Sequence, residues 1–221
     1  MNSLPPVIIE PESPANATVI WLHGLGADAN DFVPVVEQMV LPESLAVRFI
    51  LPNAPVRPIT LNGGMTMPGW YDLEGIGPQF QEDESGLRAS QSTIESLIEK
   101  EQQKGIDSER IVLIGFSQGG AVVLQAGLRH TKKLAGLIAM STYLPLRETV
   151  ENELEVVQTE TPIMFMHGSY DPVVPISFAQ GSYQILQQAD LNLQWQEYPM
   201  EHTVCLEQIR HINSFLLEVL S

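Results

Sequence analysis

Ser117, Asp171 and His202 lie far apart in the chain, yet their types and order suit them to turn an alcohol into a nucleophile. A serine hydroxyl is a weak nucleophile at neutral pH and needs a base within hydrogen-bond reach. The base needs a carboxylate that fixes its tautomer and stabilises the imidazolium as it forms. Ser117 stands in Gly115-Phe116-Ser117-Gln118-Gly119, after the apolar run Ile111-Val112-Leu113-Ile114 and before a helix-like segment from Ala121 to His130. Strand, sharp turn and helix, in that order, thrust a serine clear of the turn. Both glycines follow from the geometry, because a side chain at either would strike the neighbouring strand or helix. Ser117 itself is expected to accept a strained backbone.

The partners are sought downstream, each on a loop after a strand. Asp171 sits just past the apolar run Pro162 to His167 and is pinned by turn residues, although an aspartate before proline also reads as a plain turn former. His202 falls between Tyr198-Pro199, where the last strand ends, and the final helix. The other histidines have worse positions. His23 and His167 are at strand ends next to glycine, His130 ends a helix where a cation is favoured, and His211 lies within the last helix. His23 precedes the serine and is expected to shape a loop.

Acyl transfer through such a serine builds up an oxyanion, which preorganised donors must hold. The backbone N–H of Gln118 is one expected donor. The second should come from the loop Trp21 to Asp28, whose Gly24 and Gly26 let backbone N–H groups turn inward, and Leu25 is the expected residue. A phosphate-binding reading of these glycines is weaker. A third glycine at the required spacing is missing, and no Gly-Lys-Ser/Thr occurs.

Positioning such residues calls for strands alternating with helices. Strands are expected at Ala17–Leu22, Val47–Pro52, from Ile111, at Leu134–Met140, Pro162–His167 and Leu193–Tyr198. Helices are expected near Asp31 to Val40, through Leu87, Ile94, Leu97, Ile98 and Glu101 up to Gly105, after Gln118, and over Ser177 to Gln188. A last helix puts Cys205, Ile209, Ile212, Leu216 and Val219 on one face. The pattern is α/β, a mainly parallel sheet covered on both sides. Asn53 to Ser85 breaks the alternation and is too apolar for simple disorder. It reads either as a loop over its own satellite core or as a wall over a hydrophobic pocket. Leu61, Met65, Met67 and Trp70, with Val174 beside the acid, are the expected substrate-binding residues; methionine suits such a wall because its side chain adapts.

With 221 residues and 44% hydrophobic content, residues 1–221 are expected to form a single domain. The net charge of −16, from 27 acids against 11 bases, argues against nucleic acid and against charge-driven docking on anionic membranes. Cys205 is the only cysteine, so no intrachain disulfide forms, and it reads as a small buried hydrophobe. Met1 to Pro6 lacks a basic leader region, and no apolar stretch reaches the length of a membrane span. A cytoplasmic protein is expected, with no integral membrane association and no need of metal or cofactor.

Several of these pieces together resemble the small carboxylesterase and acyl-protein thioesterase family, the phospholipase/carboxylesterase group of α/β-hydrolases. They are His23-Gly24-Leu25-Gly26-Ala27-Asp28, Trp70-Tyr71-Asp72, Gly115 to Gly120, His167-Gly168-x-x-Asp171-x-Val173-Val174-Pro175 and Tyr198-x-Met200-x-His202. The likeness runs over nearly the whole chain in family order. It implies an α/β-hydrolase fold without a separate cap domain. Ser117 would be the nucleophile, Asp171 the acid, His202 the base, and Leu25 and Gln118 the oxyanion donors, with Met65 to Tyr71 beside the acyl pocket. The activity implied is a serine carboxylesterase acting on short-to-medium acyl esters. The alternatives are an acyl-protein thioesterase or a lysophospholipase with the same triad. The ester reading is taken first because no element for recruiting a protein substrate is evident. A small acyl ester or thioester is the expected partner, and the resemblance permits a homodimer. One departure stands out: Glu201 occupies the place where the family usually has glycine before the histidine. Its carboxylate would raise the imidazole pKa if it faced the ring, and solvent is the expected direction.

Overall fold

The computed structural model describes residues 4–77 and 79–221. A short edge strand, β1 (Val7–Ile9), opens the fold without a sequence signal, and β2 (Ala17–Leu22) follows, buried along its whole length. Where a helix from Asp31 to Val40 is expected, a 3-10 turn (Ala29–Phe32) runs into the single turn α1 (Val33–Val36). Past α1 the bonding tightens, with the Gln38 and Met39 N–H groups donating to Val35 and Val36, and the Val40 N–H is taken by the Asn213 side chain at 2.9 Å. Next come β3 (Val47–Leu51), β4 (Val56–Ile59), β5 (Met65–Pro68), α2 (Glu84–Gln103), β6 (Ile111–Phe116) and α3 (Gln118–Gly127). The chain closes with β7 (Gly136–Met140), α4 (Val150–Glu153), β8 (Ile163–Gly168), α5 (Ile176–Gln188), β9 (Leu193–Tyr198) and α6 (Leu206–Leu220).

Local chemistry sets the bounds of α2. Asp83 caps its start by accepting the Gly86 N–H at 2.9 Å. Its end is a Schellman turn in which Gly105, at φ 94°, donates to Gln102 and Ile106 donates to Glu101. Other boundaries also differ from expectation: the strand expected from Leu134 begins at Gly136, and two helix ends shift. His130 lies beyond the end of α3, where it pairs with Glu95 at 2.6 Å. Cys205 stands at the N-cap position of α6, where the chain is still extended, and packs half-buried against the same core as Ile212 and Leu216.

The main sheet has the order β1-β3-β2-β6-β7-β8-β9, parallel except for β1, which runs antiparallel to β3. Alternate residues of its strands feed two cores. Ile20, Leu22, Leu113, Leu137 and Phe165 pack with Ile94 of α2, Val122 of α3 and Leu186 of α5. Val19, Trp21, Val112, Ile138 and Met166 face the other way, against Val36 of α1 and Ile212, Phe215 and Leu216 of α6. This is the α/β-hydrolase fold, with helices on both faces and, among the described residues, no cap domain. From β2 the chain leaves toward β3, and from β6 toward β7 on the opposite side. A crevice therefore opens beyond the carboxyl ends of β2 and β6, where open α/β sheets bind ligands.

Asn53 to Ser85 is not a featureless loop. β4 and β5 form an antiparallel hairpin that turns at Gly63 and Gly64, at φ 64° and 80°. Away from this segment, α4 is clamped to α2 and to the end of α3 by Glu153. Hydrogen bonds from Arg88 first, then from Arg129 and Thr149, hold its carboxyl down at about 2. That stability is present above the ordinary carboxylate range and is lost as pH falls toward about 2. After allowance for partial solvent screening, Glu153→Gln should cost about 1 kcal/mol at neutral pH. Urea titrations of both proteins should show this gap closing in acid; a gap independent of pH would refute the linkage.

Candidate active site

Ser117 occupies the turn between β6 and α3 at φ 53° and ψ −120°, in the region that side chains avoid. The end of β7 holds the turn in this shape. Met140 accepts the Ser117 N–H at 2.8 Å, and the Thr142 hydroxyl donates to the Ser117 carbonyl at 2.7 Å. The flanking glycines have steric reasons. A Cβ on Gly115 would lie 2.3 Å from the Gly119 carbonyl oxygen, and one on Gly119 would lie 2.5 Å from that of His23.

Asp171 and His202 arrive on loops beyond β8 and β9, three and four residues past the strand ends. His202 Nδ1 donates to Asp171 Oδ2 at 2.7 Å. The other carboxylate oxygen accepts the N–H groups of Val173 and Val174, each at 2.9 Å. Asp171 is thus buried yet supplied with donors, which keeps an ionised carboxylate tolerable there. The two loops are pressed together at Gly168, where a Cβ would lie 2.4 Å from the Met200 carbonyl oxygen. His167 is buried beneath them; its Nε2 donates to Val174 at 2.8 Å, and burial holds its pKa below the ordinary value. Glu201 is exposed and faces solvent.

The loop after β2 lies alongside the Ser117 turn because Leu22 pairs with Gly115 in the sheet. His23 is buried at its base and shapes it, with Nδ1 donating to the Gly24 carbonyl at 2.7 Å and Nε2 accepting the Ala54 N–H at 3.1 Å. Desolvation lowers its pKa, so this is a neutral, structural imidazole. Gln118 opens α3, so its backbone N–H has no partner within the helix. Its side chain binds the Trp70-Tyr71 backbone at both ends. Its carbonyl oxygen accepts the Trp70 N–H and its amide donates to Tyr71, both at 2.7 Å.

A cavity of about 510 Å³ brings Ser117, His202, Leu25 and Gln118 together on one wall. Of the expected substrate-binding residues, Leu61 lines it and the others do not. Met65 alternates outward on β5 and is 65% exposed. Met67 lies over the loop after β2, its sulfur 3.7 Å from where a Gly26 Cβ would be. Trp70 is buried, its indole N–H donating to the His23 carbonyl at 2.8 Å, and Val174 is buried behind Asp171. The apolar lining comes instead from Phe32, Leu73, Ile76, Phe116, Val173 and Val204. Phe116 packs its ring on His202 at 4.7 Å and on Phe32 at 6.2 Å. Its place beside Ser117 is the available signal for such a contact, though spacing alone does not say which ring it meets.

Comparison with known proteins is consistent along the whole chain. The family described as phospholipase/carboxylesterase matches residues 4–220. A Neurospora crassa protein named acyl-protein thioesterase 1 is 41% identical over 223 residues, covering 97% of this chain and 91% of its own. One of the same name from Gibberella zeae is 38% identical over 220 residues, covering 96% and 94%. Among solved structures, SOBER1 of Arabidopsis thaliana superposes with a TM-score of 0.89 at 26% identity, over 94% of this chain and all of that one. Among the described residues, no helix is long and apolar enough to cross a membrane.

Proposed function

The chain belongs to the phospholipase/carboxylesterase family and is a serine hydrolase, and from that premise we propose that Ser117, His202 and Asp171 cleave acyl thioesters, with an S-acylated protein as acyl donor. The observation that carries the reading is the 2.7 Å bond from His202 to Asp171, made at the edge of the cavity that Ser117, Leu25 and Gln118 also line. In this mechanism His202 takes the Ser117 proton as the hydroxyl oxygen attacks the acyl carbonyl. The N–H groups of Leu25 and Gln118 hold the oxyanion, and the N-terminus of α3 adds its favourable dipole. His202 then protonates the departing thiol or alcohol. Water repeats the same steps on the acyl-enzyme and frees the acid.

The thioester is placed first because the relatives at 41% and 38% identity are named acyl-protein thioesterases. The sequence-based preference for short-to-medium esters is the second reading. It remains open because the cavity's apolar walls bear on the acyl chain and not on the leaving group. Rates on p-nitrophenyl esters and on S-acyl peptides of matched chain length separate the two. The proposal expects kcat/KM on the thioester to lead by about tenfold, equivalent to about 1.4 kcal/mol of transition-state stabilisation. Faster turnover of the ester at every chain length would restore the esterase reading.

A further inference from the structure

A second cavity of about 400 Å³ adjoins the first and shares Leu73 and Ile76 with it. Phe80, Phe178 and Ile185 make much of its wall apolar, yet two phenols meet on one side, the hydroxyls of Tyr71 and Tyr143 lying 2.9 Å apart. Both are tied to the nucleophile turn. The Tyr71 carbonyl accepts from the Gln118 amide at 2.7 Å, and Tyr143 follows Thr142, whose hydroxyl donates to the Ser117 carbonyl at 2.7 Å. The backbone around both tyrosines is thus tied to the Ser117 turn, while their phenols line the second cavity.

Counting donors shows what the pair leaves over. Two phenols carry two O–H groups, and the bond between them uses one. Among the described residues neither phenol makes another hydrogen bond. Glu82, which also lines the cavity, accepts instead from the Leu146 N–H at 3.0 Å. Burial pushes Tyr143 up to about 12 and raises Tyr71 well above its ordinary value, so both keep their protons at neutral pH.

We infer that the Tyr71–Tyr143 pair is a specificity element that selects acyl chains carrying an acceptor oxygen within the chain, such as an ether, keto or hydroxy oxygen. The inference rests on the reading of this site as an acyl hydrolase. A phenol O–H that a plain hydrocarbon chain would leave unpaired discriminates against that chain. The apolar walls hold the hydrocarbon, and the spare O–H recognises the oxygen.

An oxygen walk tests this. p-Nitrophenyl decanoate is compared with analogues in which one methylene at a time is replaced by an ether oxygen, which accepts but cannot donate. One position should be favoured over its neighbours by about fivefold to tenfold in kcat/KM, the net value of one hydrogen bond. The double variant Tyr71→Phe/Tyr143→Phe should lose that preference. Because the ratio is read within each protein, general damage to the variant cancels. No favoured position in the wild-type protein, or a favoured position that survives in the double variant, overturns the inference. Should plain and oxygenated esters both resist turnover, the same walk is run on S-acyl thioesters, and failure of these as well overturns the acyl-hydrolase reading and the inference with it.

Discussion

Ser117→Ala is expected to lower kcat by about 10⁶-fold while leaving the fold in place, the loss seen when a serine nucleophile is removed from a comparable site. Nothing in the geometry offers a substitute at this position. The serine is the residue held at φ 53° with its backbone bound by Met140 and Thr142 at the rim of the cavity. Alanine meets the same backbone strain as serine, so thermal denaturation should differ little between the two. Ser117→Gly should be equally inactive yet more stable, because glycine adopts this conformation freely and a strained residue costs about 1–3 kcal/mol. Single-turnover assays with an activated ester, together with labelling by a fluorophosphonate, read the chemistry directly. Ester cleavage retained by the alanine variant would rule out Ser117 as nucleophile.

Asp171→Asn should reduce kcat by about 10⁴-fold with little change in stability, and the hydrogen-bond pattern says why. One carboxylate oxygen accepts the N–H groups of Val173 and Val174, and the other faces His202 Nδ1 at 2.7 Å. An asparagine would keep its oxygen toward the two N–H groups, since turning the amide round would set donor against donor. Its NH₂ would then face His202 and favour the tautomer with the proton on Nε2. That nitrogen could no longer take the proton from Ser117. Steady-state kinetics with urea denaturation separates this outcome from misfolding. Activity within tenfold of the wild-type protein would mean that Asp171 does not orient the base.

Much of the scaffold is legible without coordinates. Ala17–Leu22 is a strand over the residues that its apolar run delimits, Leu193–Tyr198 is one at its expected bounds, and α2 ends just before the glycine that ends its periodicity. Gly115 and Gly119 are required at that spacing because the backbones they approach come within about two and a half ångströms of a would-be Cβ. Period and glycine placement are properties of neighbouring residues, so they can be read along the chain. The hairpin β4–β5 escapes this reading because Pro58 interrupts one strand and the turn hides in a 3-10 segment before Gly63 and Gly64.

The order serine, aspartate, histidine, each after a strand, is written in the sequence, as is the strand–turn–helix context of Ser117. Folding alone decided which side chains wall the cavity. Met65 and Leu61 look equivalent in sequence, yet Leu61, in the 3-10 turn between β4 and β5, lines the cavity and Met65, at the start of β5, does not. Tyr71 and Tyr143 meet across 72 residues, and Phe116 meets His202 only where the loops beyond β6 and β9 converge. Such contacts depend on sheet order and loop approach, which no local pattern of residues encodes.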